Sequence, residues 1–155
     1  RVEVEYHPLY FDPYRLGTTI WSPLCSGILT GKYNDAIPAG SRLSQPGYEW
    51  LKQKLEHMRQ NGQLDKVREL SRYATDHLRC SLTQLALAWC LHNPNVSTVL
   101  LGATNPDQLI ENLGAISVLE RLTPKHIEKV ESILGNKPDA YQGFGGGGMR
   151  SIQTI

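Results

Sequence analysis

Two stretches of this chain carry residue types suited to gripping an anion. The first covers residues 97–113. Gly102 follows an apolar run and lets the backbone turn tightly or approach a ligand closely. Asn105 is a suitable N-cap and Pro106 a suitable first helical residue. Gln108 stands three places after the cap, where a capping box wants it. A fresh helix start offers free N–H groups and the positive end of the helix dipole, which favour a phosphate. An ordinary strand–helix connection is the competing reading. The second stretch begins at Gly17 and runs through an aromatic residue, Trp21, and the small-residue loop Ser22-Pro23-Leu24-Cys25-Ser26-Gly27 to Lys32. Ser41 and Arg42 follow. An aromatic wall, a small loop and two cations suit a flat heteroaromatic ring joined to phosphates. Taken alone, Lys32 reads equally well as a solvated lysine, and Glu111 as a charge on a helix face.

These groups need strands and helices to position them. Thr18, Thr19, Ile20 and Trp21 are strand formers, and Ser22-Pro23 ends the run because proline lacks a ladder donor. Val99, Leu100 and Leu101 read as a short buried strand. Tyr48, Leu51, Leu55 and Met58 repeat at helical spacing, with Asn61-Gly62 as a stop. Leu64, Val67, Leu70, Ala74 and Leu78 form a second stripe. Ser81 and Gln84 make a capping box before a strongly apolar helix to about His92, in which Trp89 is expected in the core. Asn93-Pro94-Asn95 is a turn, a helix follows Pro106, and another spans 124–134 with Gly135 as its stop. Strand and helix alternate, so the class is α/β.

Composition limits the function. The 155 residues carry a formal net charge of +1, with no basic run or stripe, so no nucleic-acid partner is expected. No apolar run approaches the roughly 18 residues of a membrane span, so no membrane insertion is expected. The first residue is Arg1 and no signal peptide follows, which suggests a chain cut from a larger one. Cys25, Cys80 and Cys90 are odd in number and lack metal-ligand spacing. Reduced thiols and a cytoplasmic location are the simplest reading, with no metal site. The glycines of residues 139–155 have no strand or helix beside them and read as a flexible tail.

Four segments together resemble the aldo-keto reductases: Trp21-Ser22-Pro23-Leu24, Leu29-Thr30-Gly31-Lys32-Tyr33, residues 84–91, and Leu101-Gly102-Ala103-Thr104 through Asn112. Within that family the chain is most similar to the branch of the voltage-gated potassium channel β subunits and their microbial and plant relatives. The likeness extends from Glu5 to about Pro138. It implies a (β/α)8 TIM barrel that binds NADP(H). A complete barrel takes about 250 residues. The chain therefore reads as an incomplete C-terminal half, residues 1–138, holding strands six to eight and their helices. Residues 1–6 would be the sixth strand. The family's catalytic Asp, Tyr, Lys and His belong to the earlier half, so no catalytic residue is assigned, and His7 is a different histidine.

The resemblance also implies a role for each cofactor contact. Trp21 shapes the nicotinamide side. Ser22, Pro23, Leu24 and Ser26 pass over the pyrophosphate, with Lys32 as a phosphate-side cation. Ser41 and Arg42 lie near the adenosine 2′-phosphate. Gly102, Thr104 and Gln108 belong to the loop and helix start after the eighth strand, while Glu111 and Asn112 accept from adenine. Two departures stand out. Glu3 replaces a glutamine that holds the nicotinamide carboxamide, and a carboxylate accepts but cannot donate. Residues 10–17 are also too few for the family's connecting helix, and Asp12-Pro13 suggests a turn instead. The implied activity is NADPH-dependent reduction of a small carbonyl substrate. Two alternatives are a potassium channel β subunit, forming a homotetramer on the channel α subunit with cofactor as redox sensor, and a non-catalytic truncated product.

Overall fold

The computed structural model describes residues 6–139. The proposed sixth strand, Glu3 and the glycine-rich tail fall outside that range, except for Tyr6 and Asp139. Residues 17–135 form one compact unit, and the segments before and after it group apart. In the leading segment, His7–Tyr10 is a single 3-10 turn. It leads into a second turn in which Phe11 O accepts from both Tyr14 N and Arg15 N at 2.9 Å. Asp12 pairs with Arg15 at 2.6 Å across it. No helix forms between residues 11 and 17, as the short connection and its proline required.

The main unit holds two parallel strands and six helices among its described residues. Strand β1 is Thr18–Ile20 and β2 is Val96–Val99. Between them run α1 (Glu49–Gln60), α2 (Gln63–Tyr73), a wider π turn (Ala74–Leu78) and α3 (Leu82–His92). After β2 come α4 (Pro106–Leu113), α5 (Ala115–Leu119) and α6 (Pro124–Leu134). The helix expected after Pro106 is thus two short helices meeting at Gly114. The stripe from Leu64 to Leu78 is buried at every position, through α2 and the π turn. Asn61 and Gly62 break the chain between α1 and α2, Gly62 at φ 78°. Gly135 ends α6 at φ 60°, and Lys66 Nζ donates to the Leu134 carbonyl beside it.

Two expectations shift. The second strand lies three residues earlier than the run Val99-Leu100-Leu101. Val96, Thr98 and Val99 are β-branched and suit a pleated ladder. Leu100 and Leu101 leave the sheet and are 53% and 39% exposed. Trp89 is 37% exposed rather than in the core. Helix α3 buries Leu82, Leu85, Leu87 and Ala88, while an indole is too large to be wholly covered in most settings. The core centres on Ile28, Tyr33, Leu43, Leu51, Leu64, Leu85, Leu87 and Val118. Three of these, Ile28, Tyr33 and Leu43, come from the irregular segment after β1.

Candidate functional site

Thr18, Thr19 and Ile20 lie beside Val96, Thr98 and Val99 in parallel register. Leu100 N donates to Ile20 O at 2.8 Å and closes the pair at its carboxyl end. The segments starting at Trp21 and Leu101 therefore depart side by side. Ligands of parallel α/β proteins sit at this end, outside the strand termini.

The first segment turns back on itself. Ser22, Cys25 and Ser26 have φ of 52°, 49° and 57°, in the left-handed region that side chains disfavour by about 1–2 kcal/mol per residue. Gly27 and Gly31, at 93° and 79°, take it without that penalty. Bonds from Cys25 N to Ser22 O and from Gly27 N to Leu24 O, both 2.9 Å, hold the turns. Thr30 Oγ1 donates to Gly27 O at 2.8 Å. Ile28 is fully buried and pins the loop to the core. Trp21, by contrast, is 77% exposed. Pro23, Leu24 and Ser26 are half-buried and Ser22 is exposed.

Lys32 lies against this loop. A Cβ placed on Gly27 would be 3.5 Å from Lys32 Nζ, which also stands 5.1 Å from the centre of the Tyr33 ring. Arg42 opens a 3-10 turn (Arg42–Ser44) anchored by buried Leu43. Its guanidinium lies 5.8 Å from the Tyr48 ring centre, within cation–π range. Next to it, Ser41 Oγ is buried and has no hydrogen-bond partner. Among the described residues neither Lys32 nor Arg42 meets a carboxylate.

The second segment is held by side chains. Asn105 Oδ1 accepts from Gln108 N at 3.0 Å, as an N-cap should. The return half of the expected capping box reaches one residue further. Gln108 Oε1 accepts from Thr104 N at 2.9 Å and from Thr104 Oγ1 at 3.1 Å. That ties Thr104 to Gln108 and leaves the amide's N–H groups as donors. Gly102 has neither a positive φ nor a neighbour within 4 Å of an added Cβ, so it leaves open space rather than making a tight turn. At the far end of α4, Glu111 is exposed and Asn112 is 4% exposed, packed into the unit.

Residues 7–135 match the model of the Aldo/keto reductase family. The chain belongs to the aldo/keto reductase family. This assigns an oxidoreductase role at family level to an α/β unit of helices and a small parallel sheet, in a family that generally uses nicotinamide cofactors.

Residues to which the resemblance assigns no cofactor contact also bear on the site. Lys54 Nζ stands 3.4 Å from Cys25 Sγ and links α1 to the first loop. Gln84 Nε2 donates to the Glu111 carbonyl at 3.1 Å. The capping pattern marked Gln84, but a bond across 27 positions has no local signal. Elsewhere, Tyr73 Oη and His126 Nδ1 are 2.8 Å apart, and burial pushes the Tyr73 phenol up. Burial also pushes up the Cys80 and Cys90 thiols, with Arg121 pulling Cys80 partly back. Among the described residues no three His, Cys, Asp or Glu side chains gather to hold a metal. None of their helices is long and apolar enough to cross a membrane.

Proposed function

We propose that this chain is the NADP(H)-holding part of a carbonyl reductase, built as the last strands and helices of a (β/α)8 barrel. The observation that carries the reading is the pair of loops leaving one end of β1 and β2, with cations that meet no carboxylate among the described residues. A buried hydroxyl without a partner on Ser41, next to Arg42, suits a phosphate oxygen. The reduced nicotinamide, when bound, supplies hydride for an aldehyde or ketone carbon. The chain's own residues bind and orient it. Trp21 offers an exposed aromatic face to the ring, while Pro23 and Leu24 shape the turn beneath. Ser22, Ser26 and Lys32 face the pyrophosphate. Ser41, Arg42 and Gln108 take the adenosine phosphate, with Gly102 and Thr104 leaving it room and donors. Glu111 and Asn112 meet adenine. No residue here matches the family's proton-donating Tyr or its partners, so the chain binds cofactor without turnover.

Titration of NADPH and NADH by tryptophan fluorescence tests this. Arg42→Ala should weaken NADPH by roughly ten- to a hundredfold, the range of a charged hydrogen bond, and leave NADH nearly unchanged. Gln108→Ala should do the same more weakly, because a neutral amide is the poorer phosphate ligand. Equal weakening of both cofactors by Arg42→Ala overturns the 2′-phosphate assignment. With 4-nitrobenzaldehyde the chain should consume no NADPH, and turnover of about 1 per second or more would refute inactivity.

A second reading is a cytoplasmic potassium channel β subunit with cofactor as redox sensor. The resemblance of the chain from Glu5 to about Pro138 to that branch favours it. It predicts a homotetramer and a channel α subunit as partner, and a monomer by light scattering would count against it.

A further inference from the structure

Helix α4 has little holding its last turn. Leu109, Ile110 and Leu113 are 44%, 69% and 50% exposed, and Asn112 is its one buried residue. The turn is secured instead by bonds to the Glu111 carbonyl. Gly114 N donates to it at 3.1 Å, and so does Gln84 Nε2, also at 3.1 Å. The other end of the same amide, Gln84 Oε1, accepts from Ser81 N at 3.2 Å, while Gln84 N donates to Ser81 Oγ at 3.2 Å. One side chain thus caps the start of α3 and clasps the end of α4. Gly114 makes room for it: a Cβ there would lie 2.3 Å from Gln84 Nε2. Its backbone is ordinary right-handed helix, so space and not conformation calls for glycine.

We propose that Gln84 is a positioning residue for the adenine end of the cofactor site, acting through the Glu111 carbonyl, and that Gly114 is glycine to admit its amide. This rests on the NADP(H) reading above. Glu111 and Asn112 stand on the turn that the amide holds. Asn112 packs inward, but Leu109, Ile110 and Leu113 leave the outer face of that turn exposed, so losing the donor lets the turn, and Glu111 with it, shift from adenine.

Two substitutions separate the clasp from the cap. Gln84→Glu keeps an acceptor for Ser81 N–H and a favourable charge at a helix start, but cannot donate to Glu111 O. Ser81→Ala removes the cap and leaves that donor in place. Gln84→Glu should melt close to the parent chain yet bind both NADPH and NADH about tenfold more weakly, since adenine is common to the two. Gly114→Ala should match it. Ser81→Ala should melt lower and bind NADPH normally. Amide exchange at positions 113 and 114, read without cofactor, should quicken in Gln84→Glu and Gly114→Ala but not in Ser81→Ala. Unchanged affinity in Gln84→Glu, or equal loss in Ser81→Ala, overturns the proposal. If the parent chain binds neither nucleotide, the cofactor reading fails, and unchanged exchange at those two amides then refutes the clasp as well.

Discussion

The two segments that leave the carboxyl end of the sheet keep their shapes by different means. The one after β1 is strained and anchored. Three non-glycine residues adopt left-handed backbone, and Ile28, Tyr33 and Leu43 tie the stretch to the core. The one after β2 is unstrained and lightly held. Its helix buries one residue, and its geometry rests on Asn105, Gln108 and the Gln84 amide. Strained backbone persists only where surrounding packing over-determines it. The first loop is therefore held by the packing beneath it. The second depends on a few side-chain hydrogen bonds.

The largest test of this contrast is Ile28→Ala. Removing a fully buried isoleucine should cost about 2–5 kcal/mol in a urea titration, and the loop should lose its turns with it. Leu109→Ala, at a half-exposed position of α4, should cost far less. Equal losses would break the comparison. Asn105→Ala should come next, with about 1 kcal/mol lost from a missing cap. Its effect should be confined to the second segment, so amides at Asp107 and Gln108 should exchange faster while those of residues 25–31 do not.

The smallest effect is expected in alkali. Burial raises the Cys80 and Cys90 thiols in the folded chain. A group raised on folding is protonated longer in the native state, so its stability contribution is complete below the unfolded value and lost as pH rises. The melting midpoint should start to fall near pH 9, about where free thiols ionise. Cys90→Ala should make that fall shallower. If the midpoint is flat from pH 8 to 10, the thiols are not effectively buried. A change in slope from Ile28→Ala instead would place the sensitivity in the first loop.

Local chemistry made much of this legible. The stripe from Leu64 to Leu78, the Ser81 cap, the Asn105 cap and the stop at Gly135 all depend on neighbours within a turn or two. The strand after Gly17 was legible too, although it stops at Ile20 and leaves Trp21 outside, before Ser22-Pro23 is reached. What escaped depends on distance or on partners. Leu100 and Leu101 look like strand residues because apolar runs usually are, but the ladder ends at Val99, where β-branched residues give way. Trp89 has a core residue's chemistry and more surface than its surroundings cover. Gln108 serves Thr104 rather than the backbone of Asn105, a choice of one residue that spacing rules do not resolve. Of the two readings open to Gly102, a tight turn or a close approach to a ligand, its ordinary φ and the open space beside it fit the second. Of the candidate site, the two loops and their cations are legible in the sequence, whereas the bond from the Gln84 amide to the Glu111 carbonyl is not.

The register of the sheet also constrains the order of assembly. Thr18 pairs with Val96, and two 3-10 segments, three α-helices and the π turn lie between them. Joining such distant positions in an unstructured chain carries a large loop-closure entropy, and a two-strand ladder returns little for it. Condensation of α1, α2 and α3 shortens the path first. Loop-closure entropy therefore predicts that the floor on which both loops stand forms late in folding, after the helices that separate its two halves in the chain.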